Sequence, residues 1–85
     1  MIRQYILKDN KPHQITGKDY GINITKRENE VLRYMASGYT STEIAKDLFI
    51  SEHTVISHRK NLMIKLDARN SAHLVLRSIR FGLLE

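Results

Sequence analysis

Apolar residues in this chain recur at helical spacing from Thr25 onward, in four stretches separated by turn signals. Val31, Leu32, Met35 and Ala36 form the first stripe, and Gly38 follows as a left-handed stop. Thr25-Lys26-Arg27-Glu28 before that stripe has the form of a capping box, so a first helix is expected at about residues 26–37. Thr40-Ser41-Thr42-Glu43 is a second capping box. It opens a short second helix whose buried face is Ile44, Ala45 and Leu48, with Ala45 small enough for a close helix crossing. Phe49 and Ile50 then carry the chain through a tight turn to Ser51, a good N-cap. A third helix is expected at about residues 52–66, with Val55, Leu62 and Leu66 on one face. Asp67-Ala68-Arg69 connects it to a fourth, capped by Asn70, carrying Leu74, Val75 and Ile79, and ended near Phe81 by Gly82.

Residues 1–23 follow a different pattern. Gln4-Tyr5-Ile6-Leu7 reads as a short strand, Asp9-Asn10-Lys11-Pro12 as a turn and Gln14-Ile15-Thr16 as a return strand, with Gly17 and Gly21 breaking the chain beyond. The expected organisation is an N-terminal arm or short hairpin over residues 1–23 and an all-α, four-helix domain over residues 24–85.

Composition narrows the function. Eighty-five residues make one small domain, which buries roughly 60–65% of its unfolded surface and has no room for an interdomain catalytic cleft. Cysteine is absent, which removes disulfides, thiolate zinc sites and thiol nucleophiles, and fits a cytoplasmic location. No apolar run approaches the roughly 18–20 residues of a membrane span, so no membrane partner is expected. The net charge is +5, of which +2 falls in residues 1–23 and +3 in the mixed-sign remainder, so any basic surface there is local. A basic domain of this size points to a polyanion, most often nucleic acid.

The second and third helices with the short turn between them form a helix-turn-helix, in which the second member enters the DNA major groove. The third helix fits that role. Its inner face is apolar, while His53, Ser57, Arg59 and Lys60 lie on the remaining surface and Lys65 lies near its end. Lysine and arginine serve phosphates and guanine edges. Thr42 and Thr54 lie near helix N-termini, where hydroxyls and backbone N–H groups hold phosphates. His53 and His58 are five apart, not the four of a helical metal pair. No metal, no cofactor and no catalytic residue is implied, and an enzyme is the poorest fit.

These segments together resemble the LuxR-type (GerE-like) DNA-binding domain of bacterial transcriptional regulators. The resemblance rests on Thr25 to Leu32, Gly38-Tyr39-Thr40, Glu43-Ile44-Ala45, Leu48, Ile50 to Val55, His58, Asn61, Lys65-Leu66 and Gly82-Leu83-Leu84, about three-quarters of the chain in the family's order. It implies that the third helix reads double-stranded DNA, with Thr54, Lys60 and Lys65 at positions that commonly touch it and Ser57 and Arg59 on the same stretch. It implies a homodimer through the fourth helix, for which Val75, Leu76 and Ile79 are the candidates, and contact with RNA polymerase. One departure stands out: Ile56 follows Thr54-Val55 where the family usually has lysine, which is either a thymine-methyl contact or a weakening of DNA binding. Ser41 and Thr42 likewise replace the frequent asparagine and lysine, which predicts lower phosphate affinity.

Two other readings share this sequence. One is an interaction module that sequesters another LuxR-type regulator without binding DNA, motivated by Ile56. The other is a polymerase-associated reader like region four of sigma factors, against which the fourth helix and Gly82-Leu83-Leu84 weigh.

Overall fold

The computed structural model describes residues 22–84 and, as backbone alone, residues 15 and 16. Two short strands, β1 (Ile15–Thr16) and β2 (Asn23–Ile24), precede four helices: α1 (Lys26–Ala36), α2 (Ser41–Leu48), α3 (Glu52–Leu66) and α4 (Ser71–Arg80). Among the described residues the fold is all-α, with one antiparallel strand pair at the N-terminal side of the helices. β1 falls within the expected return strand and pairs with β2, Ile15 opposite Ile24 and Thr16 opposite Asn23. Ile24 is fully buried, so this pairing tethers a core residue and crosses the expected boundary after residue 23. The strand and turn expected at residues 4–12 lie outside the described residues.

Each helix starts where a side chain can replace the missing backbone acceptor. Thr25 Oγ1 accepts from the Glu28 N–H at 3.1 Å, and Glu28 Oε1 accepts from the Thr25 N–H at 3.0 Å. Thr40 and Glu43 repeat this reciprocal box at α2. Ser51 Oγ accepts from the Thr54 N–H at 3.0 Å, and Asn70 Oδ1 from the His73 N–H at 2.8 Å.

The helix ends also share one geometry. At α1 the Tyr39 N–H donates to the Tyr34 carbonyl and the Gly38 N–H to that of Met35, with Gly38 at φ 90°. Nothing lies within 4 Å of where a Cβ on Gly38 would stand, so the left-handed backbone, not crowding, calls for glycine there. The other three helices end on left-handed residues as well: Phe49 (φ 58°), Asp67 (φ 54°) and Gly82 (φ 78°). Phe49 is the costly member, since its Cβ crowds the following carbonyl in this conformation.

One core joins the elements. Ile24, Val31, Leu32, Ile44, Val55, Leu62, Leu66 and Leu74 are buried, and Ala45 lets α2 approach α3. α3 is the central element, packing on α1, α2 and α4. The chain then returns over this core. Leu83 and Leu84 donate their N–H groups to the Ser78 carbonyl, which folds both leucine side chains inward to 2% and 4% exposure.

Candidate nucleic-acid interface

α3 presents one stripe of mixed polar and apolar side chains to solvent. Val55, Leu62 and Leu66 fix its inner direction. At about 100° per residue, the opposite sector holds His53, Ser57, Lys60 and Ile64, with Ile56 on one flank and Asn61 on the other. All six are exposed. Of the residues expected to meet DNA, the structure therefore brings Ile56, Ser57 and Lys60 together on this outer sector. Thr42 is exposed in the first turn of α2, next to the turn that joins α1 to α2. Thr54 is half-buried, and its hydroxyl lies 2.8 Å from Ser51 Oγ.

The two remaining cations are directed elsewhere. Arg59 lies between the inner and outer sectors, and its guanidinium bridges two helices: Nη1 donates to Ser41 Oγ and Nη2 to Ser71 Oγ, both at 2.6 Å. Ser41 and Ser71 are the first residues of α2 and α4, so one side chain ties both helix starts to α3. Lys65 points to α1, where its Nζ donates to Glu28 Oε1 at 2.7 Å. That carboxylate oxygen also receives the Thr25 N–H, so a single atom joins the start of α1 to the end of α3. Burial pushes the Glu28 carboxyl up. The hydrogen bonds from Lys65 and from the Thr25 N–H, with the charges of Lys65 and His58, outweigh this and hold it below its ordinary value. His58 is half-buried on the same flank, so it stands off the outer stripe.

Sequence reasoning missed Ile64, the Arg59 bridge and the exposure of Phe49. Ile64 was within reach: it is four residues after Lys60 and eight after Ile56, outside any stripe drawn through Val55, Leu62 and Leu66. The bridge was not, because it joins residues 18 and 12 positions apart in the chain. On α4, Leu76 is 53% and Ile79 42% exposed, while Val75 is half-buried against the core.

Among the described residues no group of three or more His, Cys, Asp or Glu side chains is placed to hold a metal, and no helix is long and apolar enough to cross a membrane. A helix pair joined by a tight turn, with Lys60 and uncharged polar and apolar side chains exposed on the outer face of its second helix, has the form of a helix-turn-helix DNA-binding domain. The model of the bacterial regulatory proteins of the luxR family matches residues 23–78, and the chain belongs to that family.

Its relatives include proteins named as regulatory. It is 44% identical over 63 residues to the regulatory protein SdiA of Escherichia coli (strain K12), covering 74% of this chain and 26% of SdiA. It is 44% identical over 62 residues to the spore germination protein GerE of Bacillus subtilis (strain 168), covering 73% of this chain and 84% of GerE. It is 33% identical over all 85 residues to the oxygen regulatory protein NreC of Staphylococcus aureus (strain MRSA252), which spans 39% of NreC. The chain thus spans well under half of SdiA and NreC and most of GerE. The chain carries the DNA-binding helix-turn-helix domain of a family of bacterial regulatory proteins, and that family is not one of enzymes.

Proposed function

We propose that α3 lies in the major groove of double-stranded DNA and reads sequence through Lys60, Ile56 and Ser57. The observation that carries this reading is the outer stripe of α3, where the exposed Lys60 is flanked by polar and apolar side chains that the core does not use. Thr42 and Thr54 then lie at the phosphates beside the groove, near the N-termini of α2 and α3. Arg59 and Lys65 act first as positioning residues, fixing the tilt of α3 against α1, α2 and α4. A guanidinium has five N–H donors, so Arg59 can serve a phosphate as well as its two serines.

Two copies pair through Val75, Leu76 and Ile79 on α4, whose exposed leucine and isoleucine give an apolar strip outside the core. A symmetric pair of this kind takes two half-sites about 10 base pairs apart, centre to centre. The DNA-binding domain takes in residues 24–85, with β1 paired to its first residues from within residues 1–23, and the site of action is the cytoplasm, on promoter DNA within reach of RNA polymerase.

The test is selection from a random DNA pool at two salt concentrations, followed by footprinting. A recovered palindrome with two half-sites supports the whole reading. Binding that is salt-sensitive but indifferent to sequence removes base reading by α3. A mixed dimer with another LuxR-type regulator that no longer binds DNA favours the sequestering module, for which the α4 strip supplies the surface.

A further inference from the structure

α3 exposes two large apolar side chains on the face it turns away from the core. Ile56 is 43% and Ile64 76% exposed, and neither is needed inside, where Val55, Leu62 and Leu66 already fill that role. Lys60 stands between them, four residues from each. One helical turn separates each neighbour from the next, about 6 Å along the axis, and the three positions fall within about 80° of the helix circumference. The stripe therefore alternates apolar, cationic, apolar. The only acidic residue of α3 is Glu52, in its first turn, so no negative charge faces the stripe from its own helix.

An apolar protein surface is a poor partner for this pattern, because covering both isoleucines would bury the Lys60 ammonium between them without a counter-charge. The floor of the major groove offers the matching alternation. Guanine presents two acceptors, N7 and O6, and thymine presents its C5 methyl, the one apolar group exposed in that groove. Successive base pairs rise about 3.4 Å, so a 6 Å interval corresponds to roughly one to two base-pair steps.

We propose that α3 reads thymine C5 methyl groups on both sides of a guanine, with Ile56 and Ile64 contacting the methyls and Lys60 the guanine. This rests on the reading of α3 as the groove-binding helix and adds the chemical identity of what it selects. It also gives Ile56 a role that a lysine could not fill: a contact without charge, sensitive to one methyl group.

The experiment uses the 85-residue chain and its selected half-site, with each thymine replaced singly by deoxyuridine, which lacks the C5 methyl and keeps the base pair. Two positions, one on each side of a guanine, should lose affinity by about three- to fivefold, the scale of one buried methyl. Ile56→Ala should abolish the loss at one position and Ile64→Ala at the other, each leaving its partner's position sensitive. Both side chains are exposed, so neither variant opens the core, and the substitutions in DNA need no protein variant at all. A preferred sequence that tolerates deoxyuridine everywhere, or whose sensitivity survives both alanine variants, overturns methyl reading while leaving DNA reading intact. Failure to recover any preferred sequence overturns both.

Discussion

Arg59 shows how much of a recognition surface is decided behind it. On the sequence it looked like one more cation for DNA. In the fold its guanidinium spans the first residues of α2 and α4. Arg59→Ala should lower stability by about 1–2 kcal/mol in urea denaturation, since two charge-assisted hydrogen bonds at a half-buried site are lost. Arg59→Lys should recover only part of this, because an ammonium cannot fork to two hydroxyls in the same way. Glu28 plays the corresponding part on the other flank. Its carboxyl is held below the ordinary value of 4.5, so the stability it contributes is present in full above that value and is lost as pH falls through the lower, folded value. Glu28→Gln should cost about 2 kcal/mol at neutral pH, less than a fully buried pair because Lys65 is partly exposed, and should flatten the acid limb of the stability profile. Denaturation midpoints across that acid range would check both. The caps at Thr25, Thr40, Ser51 and Asn70 were legible in the sequence because each bond spans three residues; the Arg59 and Lys65 bonds span from 12 to 37 and were not.

At the scale of elements, the expected extents of the helices agree with the structure to within about a residue, and α3 matches over its whole length. Local rules decide where helices start and stop, so a single sequence carries that information. The face each helix turns outward is less legible. α3 carries apolar residues on both sides; the stripe through Val55, Leu62 and Leu66 marks the buried one, while Ile56 and Ile64 fall outside it and only the fold shows what they share. Two measurements belong at this scale. Lys60→Ala should weaken binding to the selected site by about 1–3 kcal/mol and relax preference at one base pair, read by titration against the site and its single-base variants. Phe49 closes α2 in the left-handed region with its ring 93% exposed. Asparagine tolerates that backbone, so Phe49→Asn should stabilise the free domain by about 0.5–1 kcal/mol in thermal or urea unfolding. A loss of stability instead would show that the ring has a partner within the chain.

At the scale of the molecule, the order and packing of four helices followed from the motif, while the two ends did not. The forward pairing of β1 with β2 depends on Ile24 reaching the core from a neighbouring strand, which no pattern within residues 4–16 encodes. The return of Leu83 and Leu84 depends on Ser78 offering one carbonyl to both of their N–H groups. Gly82-Leu83-Leu84 counted in the sequence as part of a motif, and the structure gives those leucines a packing role. Leu83→Ala or Leu84→Ala should each cost about 2–4 kcal/mol, comparable with a leucine in mid-helix, and both should lower the denaturation midpoint.

That buried return makes the segment after α4 a reporter of its own opening. A protease cutting within residues 82–84 requires the helix-capping turn to open and core leucines to leave their pockets. Where reclosing is fast, the rate of such cutting tracks the population of the opened form. A DNA site that binds only the folded domain would slow cutting there in proportion to its occupancy, turning this short segment into a label-free clock for operator binding.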